Sequence, residues 1–404
     1  MRAGGGEPAV SRSDMIRACL FGAYNATHPA TRQLTDALRA AGCDVRECHE
    51  PLWERTRDKM AGYFGARSLA RHAIAYVRVA VRLMRAWQRD PSAELVVAGF
   101  NGQLDVLLAR FVAGRRARLV FAPLVTLTET LVDDRQVYRR GGFRARLAAF
   151  LDRRTLEAAD LVLLDTETHR GYVRRRITAR ARTATLYLGA DRRFTAEAPP
   201  IRRPGDVLRV LFYGQYVPLH GVLVIVEAAA LAGPDARMEF TMIGTGPDRE
   251  AAQALAEARG CDHVRFEDWV PFDALPGKLR ECDVALGIFG LTSKARMVIP
   301  TKVYQAAAAG RAIVTGDTPA IREVFTPDED VLLVPRGDPG ALVGALRRLR
   351  DAPDLGSRLG CHAGRLLAEH LDAHAQGARL RSILGEVFPD LDESRMQDPM
   401  PVVP

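Results

Sequence analysis

The feature that most constrains this chain is a repeated alternation of short apolar runs with longer amphipathic stretches. "IRACLFGA", "DVRECH", "ELVVAGF", "RLVFAPLV", "DLVLLDT" and "TATLYLG" read as strands, with helical stretches such as "PATRQLTDALRAAG" and "GGFRARLAAFLDRRTLEAA" between them. Near-continuous apolar strands separated by helices imply a parallel sheet covered on both faces. The pattern halts at "GADRRFTAEAPPIRRPGD", rich in proline and charge, and restarts with "LRVLFYGQ", "MEFTMIGTG", "HVRFEDWV", "DVALGIFG", "AIVTGD" and "VLLVPRG". The expected architecture is α/β: two doubly wound parallel-sheet domains facing a cleft, with ligands at the carboxyl ends of the strands. The expected division is a disordered start over 1–14, a first domain over 15–190 and a linker over 191–206. A second domain over 207–372, a C-terminal helix over 373–390 and a loose tail over 391–404 follow.

Composition narrows the partners. At 404 residues two domains are the natural expectation, and 26% charged with 48% hydrophobic residues is globular rather than disordered. A net charge of +8 favours anionic partners. No pair among Cys19, Cys43, Cys48, Cys261, Cys282 and Cys361 has the short spacing of a zinc or redox motif. They read as reduced thiols, and with no signal-peptide core or membrane-length apolar run a cytoplasmic protein is expected.

In "VIPTKVYQAAAAGRAIVTGD", Pro300 suits a first helical turn and Gly310 a stop, which sets Lys302 where the helix dipole mildly repels a cation. Either it is a solvated surface lysine, or an anion such as a phosphate lies between it and the free N–H groups of that helix end. Other strand ends add Gly214 and Gly221 in "FYGQYVPLHG" and Gly244 and Gly246 in "MIGTGPDRE". "GIFGLTSKARMVIPTK" adds Lys294 and Arg296. Converging cations, glycines and helix starts suit a diphosphate.

The order "LFYGQYVPLHGV", "FTMIGTGPD", "VRFEDWVPFDALPGKLRECDVALGIFG", "PTKVYQAAAAGRAIVTGDTPAIREV", "LLVPRGDPGALVGAL" resembles the donor domain of the retaining glycosyltransferases of family four, which have the GT-B fold of two Rossmann-like domains. "LYLGADRRF" resembles their interdomain segment, and "LFGAYNATHPATRQLTDALRAAGCDV" their first strand, loop and helix. The resemblance implies a UDP- or GDP-linked sugar held by the second domain and a glycan or lipid-linked acceptor held by the first. It further implies hexosyl transfer with retention, without a metal or other cofactor, in cell-envelope glycan synthesis. Carried over by position, Lys302 and Glu323 serve the chemistry. Gly22, Gly214, Gln215, His220, Gly244, Val270, Lys294, Arg296, Lys302, Tyr304 and Gln305 serve the donor, with Val270 toward the base and Gln305 toward the ribose.

Two departures stand out. Gln215 and His220 occupy places where the family usually carries an arginine and a lysine, and Met297 and Gln305 replace a pair of glutamates. Lys294, Arg296 and Lys302 are the expected replacements for the missing charge. A leaving phosphate that itself takes the acceptor's proton needs no nucleophile–base pair. The alternatives are a silent nucleotide-sugar-binding protein and a sugar-nucleotide epimerase.

On the acceptor side His28, Asn101 and Asp105 are candidates, Asp105 equally as a helix-cap or first-turn residue. Residues 64–90 repeat apolar positions at helical spacing among arginines, and 172–182 add a second basic cluster. They read either as a sheet-covering helix with a solvated arginine face or as a surface for anionic lipid at the inner membrane face. Nucleic acid is not expected, since no recognition motif accompanies the charge.

Overall fold

A computed structural model describes residues 15–26, 28–52, 66–195 and 205–391. The expected disordered start, most of the tail and most of the linker's proline-rich part lie outside the described residues.

The first half contains β1 (Ile16–Gly22), α1 (Pro29–Ala40), β2 (Cys43–His49), α2 (Ala66–Arg89), β3 (Leu95–Ala98), α3 (Gln103–Ala113), β4 (Arg118–Phe121), α4 (Phe143–Ala158), β5 (Leu161–Leu164), α5 (Glu167–Tyr172) and β6 (Thr183–Thr185). The second contains β7 (Leu208–Tyr213), α6 (Val222–Ala232), β8 (Met238–Ile243), α7 (Arg249–Ala258), β9 (Val264–Glu267), α8 (Leu275–Glu281), β10 (Val284–Leu286), α9 (Thr301–Ala308), β11 (Ala312–Gly316), β12 (Leu332–Val334), α10 (Pro339–Asp351), α11 (Pro353–His370) and α12 (Ala373–Val387). Among the described residues the strands form two six-stranded sheets, ordered β2-β1-β3-β4-β5-β6 and β12-β11-β10-β7-β8-β9. Every paired register is parallel, as in β7 on β8 with Val210 opposite Phe240.

Alternate residues of each strand enter opposite cores. Cys19 and Phe21 of β1 join Leu83 and Trp87 of α2, while Ile16, Ala18 and Leu20 join Leu34 and Leu38 of α1. That two-sided burial is why the strands are apolar at nearly every position. α2 buries Val79, Leu83 and Trp87 and exposes Arg78, Arg82, Arg85 and Arg89, the arrangement of a helix that covers a sheet. The last helix does not stay with the second domain. α12 returns to the first and buries Leu380, Ile383 and Leu384 beside Leu34 and Leu38.

This return depends on one close approach. A Cβ added to Gly377 would lie 2.5 Å from the carbonyl carbon of Ala40 at the end of α1. Gly377→Val is expected to destabilise the protein by about 1–3 kcal/mol, the usual cost of overpacking. Denaturant titration measures it; unchanged stability would mean that α12 can lift off freely.

Candidate active site

The carboxyl ends of β7, β8, β10 and β11 face the first domain. β7 leaves its sheet through Gly214 (φ 146°) and β8 through Gly244 (φ 130°), backbone shapes that side-chain-bearing residues rarely adopt. A Cβ on Gly244 would lie 1.9 Å from the Gly214 carbonyl oxygen, and one on Gly214 only 2.9 Å from Lys302 Nζ. Arg249 steadies the pair by donating to the Gly244 carbonyl at 2.6 Å.

Lys302 is not a surface lysine. Pro300, with ψ 145°, is the extended cap of α9 rather than part of its first turn, which places Lys302 at the second helical position. The residue is 6% exposed, and its Nζ has no hydrogen-bond partner. The ammonium lies 4.0 Å from the centroid of the Phe212 ring. Burial pushes its pKa well below the ordinary lysine value. His220 is beside it, with Nδ1–H donating to the Gln215 carbonyl. Burial, then the Lys302 charge, holds its pKa well below the usual imidazole value. Two groups capable of positive charge therefore share a buried place with no hydrogen-bonded anion on Lys302.

The opposite wall belongs to the first domain and holds a chain of paired charges. His169 of α5 sits between Asp165 (Nδ1 to Oδ1, 2.6 Å) and Glu129 (Nε2 to Oε2, 2.8 Å). Burial alone would lower its pKa, but the two carboxylates outweigh that and raise it to about 10. Glu129 Oε1 in turn lies 3.6 Å from Lys294 Nζ, which donates to Thr130 Oγ1 at 3.0 Å. Lys294, expected at a donor phosphate, here bridges the two domains. Glu323 bridges them as well. Its carboxylate accepts from the N–H groups of Glu167 (2.6 Å) and Thr168 (2.7 Å), where it caps α5, and from the Tyr187 hydroxyl (3.2 Å). The carboxylate so engaged clamps the second domain to the start of α5.

Residues 208–351 match the family model described as glycosyl transferases group 1. The lipopolysaccharide core biosynthesis glycosyltransferase LpsD of Rhizobium meliloti (strain 1021) is 28% identical over 171 residues, 40% of this chain and 46% of that protein. The alpha-D-kanosaminyltransferase of Streptomyces kanamyceticus is 25% identical over 252 residues, 60% of this chain and 64% of that protein. The chain therefore spans between about half and just under two thirds of the length of these curated relatives. Sucrose-phosphate synthase (tll1590) from Thermosynechococcus elongatus superposes with a TM-score of 0.71 at 16% identity, covering 93% of this chain and 100% of that one. Anabaena Alr3699/HepE in complex with UDP-glucose superposes at 0.65 and 13%, covering 92% and 99%.

The fold is GT-B. In this GT-B frame the remaining sequence-derived positions divide sharply. Gln305 is buried at 2% exposure, and its Oε1 accepts from the Tyr213 hydroxyl at 2.9 Å, so it braces α9 on β7. Tyr304 is buried at 1% beside Phe325, and Met297 is buried with its carbonyl accepting from Thr166 Oγ1. Val270 is half-buried behind exposed Trp269, and Arg296 is exposed. Gln215 faces the cleft and accepts from Arg135 of the first domain at 3.2 Å.

Gly22, expected with the donor, belongs to the first sheet, where a Cβ would collide with the Asp105 carboxylate at 2.4 Å. Asp105 accepts from the Ala23 N–H and the Tyr76 hydroxyl, both at 2.9 Å, and burial raises its pKa to about 6. It stands in the first turn of α3, as one of the two readings expected, and fastens the β1 loop. His28 caps α1 through Nδ1 and lies 4.3 Å from the Phe100 ring. Asn101 takes a left-handed φ of 64° in the turn before α3. Sequence reading missed Arg135, Phe212 and the Asp165–His169–Glu129 chain. Only the i,i+4 spacing in "DTETH" hinted at the last. Among the described residues no group of three or more His, Cys, Asp or Glu is arranged to hold a metal ion.

Two opposite pH dependences follow. A His169 pKa raised above its unfolded value of 6.5 contributes stability that is complete below 6.5 and lost as pH rises through about 10. His169→Gln is expected to cost about 3–5 kcal/mol at pH 6, as for breaking a buried ion pair. In thermal melts across that range, its gap to wild type should narrow as pH rises; a constant gap would mean His169 is uncharged. Lys302, with a depressed pKa, carries a penalty that fades as pH climbs toward 10.5. Lys302→Met should therefore stabilise the unliganded protein near neutral pH, by about 1–3 kcal/mol. A destabilised variant would indicate an anionic partner for Lys302.

Proposed function

We propose that this protein transfers a sugar from a nucleoside-diphosphate sugar to an acceptor hydroxyl. The observation that carries the reading is Lys302: a buried ammonium without a hydrogen-bond partner, at the start of α9, beside the glycine loops of β7 and β8. It lies within the segment that matches the group 1 glycosyl transferase model. A donor diphosphate supplies what this place lacks, namely anionic oxygens for Lys302 and for the free N–H groups of the helix start. Binding would then give Lys302 the anionic partner it lacks, converting a cost of the empty protein into affinity. Arg135, reaching Gln215 across the cleft, brings a first-domain cation to the loop whose usual arginine is absent.

In the proposed reaction the acceptor oxygen forms a bond to the anomeric carbon on the face that the phosphate leaves. The sugar–phosphate bond breaks as the acceptor's proton passes to a phosphate oxygen, which retains the anomeric configuration and releases a nucleoside diphosphate. Lys302 stabilises the charge that develops, the term usually largest in such sites. A hexose, a UDP or GDP carrier, no metal and a cell-envelope glycan acceptor complete the reading. A lipopolysaccharide-core relative and a neighbour in complex with UDP-glucose support it. A second reading, binding without turnover, draws support from Glu323 and Gln305, whose side chains are both engaged inside the protein.

Calorimetric titration with UDP, GDP and the matching nucleosides tests the site. The expected result is binding of one diphosphate, and a loss of about tenfold to a hundredfold in Lys302→Met, with nucleoside affinity unchanged. Equal diphosphate affinities would overturn the role of Lys302. Release of diphosphate from a panel of nucleotide sugars separates turnover from silent binding.

A further inference from the structure

One helix of the first domain packs on the core with few large side chains. α4 buries Ala145, Ala148, Asp152, Thr155 and, near its end, Leu156. Three other large apolar residues point to solvent: Phe143 is 80% exposed, Leu147 46% and Phe150 51%. The spacing i, i+4, i+7 sets these three on one face of the helix. The adjoining α3, tied to α4 by Arg110 donating to the Ala158 carbonyl, exposes Leu104 (44%) and Phe111 (77%) in the same manner. A protein surface of this size seldom leaves such residues together without use.

The charge around them says what they meet. Arg144, Arg146, Arg153 and Arg154 of α4 are all exposed. So are Arg174, Arg175 and Arg176 of the helical turn Val173–Ile177, which packs against α4. The Arg154 guanidinium lies 5.2 Å from the Phe150 ring centroid, so cation and aromatic are presented side by side. Apolar side chains standing out from a convex helix, ringed by arginines, match the chemistry of an anionic bilayer surface: the rings and leucine enter the acyl boundary while the guanidinia meet lipid phosphates. No helix of the described residues is long and apolar enough to cross a membrane.

We propose that the α3–α4 face, with Phe143, Leu147 and Phe150 as its anchor, docks this protein on an anionic lipid surface. The site differs from α2, which exposes Ile74 (57%) and Val77 (62%) among its arginines but, among its described residues, no aromatic ring, whereas α4 presents Phe143 and Phe150. It goes beyond the sugar-transfer reading and stands or falls independently of it, because docking needs neither donor nor acceptor.

Sedimentation of the full chain with phosphatidylcholine vesicles, plain or containing about one third phosphatidylglycerol, tests it. Wild type should bind the anionic vesicles, ignore the neutral ones and be partly released by salt. Phe143→Ser/Leu147→Ser/Phe150→Ser should weaken vesicle binding at least about tenfold with an unchanged melting temperature, since these side chains are already outside the core. Ile74→Ser/Val77→Ser on α2 should leave binding intact. Equal binding to neutral vesicles, no binding at all, or loss only in the α2 variant would overturn the proposal. So would light scattering that shows a dimer dispersed by the triple variant while vesicles are ignored, which would make the face a contact between two copies of this chain.

Discussion

The chain of buried charges from Asp165 through His169 and Glu129 to Lys294 is the interaction on which the rest of this structure depends. Two carboxylates, one imidazolium and one ammonium lie at the meeting of the two domains, with the His169 and Glu129 side chains wholly buried. Removing such groups from water is costly, and their mutual attraction offsets that only when every member is present. The arrangement thereby selects one way of apposing the domains, since a slide of either would leave a charge uncompensated. Glu323, capping α5 from the second domain, adds a second constraint of the same kind.

That juncture also sorts the basic residues of the cleft. Lys294 is neutralised within the protein, and Arg135 is drawn to Gln215. Lys302 is left against the Phe212 ring with its pKa depressed. A protein that satisfies Lys294 so completely and leaves Lys302 unsatisfied has given the two lysines different tasks. Places where a sequence breaks a local rule without an internal compensation are where function is to be sought. Glycine at 214 answers a separate need, a φ of 146° that side-chain-bearing residues rarely adopt. The outward face of α4 is a second such break, in apolar packing rather than in charge, and it lies on the other domain.

Much of the architecture was legible in the residues alone. Two series of apolar runs separated by amphipathic stretches and a proline-rich interruption dictate two parallel sheets, because only strands buried on both faces can be apolar at every position. The placement of glycines and helix starts at the strand ends was equally readable, since both follow from the order of elements along the chain. The group 1 signature over residues 208–351 lies in this local order too.

The fate of each side chain was not legible, because burial and partners depend on residues far away in sequence. Lys294 and Lys302 look alike in "SKARMVIPTK", yet one meets Glu129, 165 positions earlier, and the other lies over the Phe212 ring with no hydrogen-bond partner on its Nζ. Gln305 and Glu323 align with cleft positions but are claimed by Tyr213 and by the start of α5. Asp105 meets the Ala23 N–H across the first sheet. The sequence by itself determined the elements and their order, since periodicity and turn chemistry act over a few residues. Which charge is satisfied and which waits for a ligand was decided only by the packing of the two domains, since electrostatic energy in a buried site depends on neighbours that the linear order does not reveal.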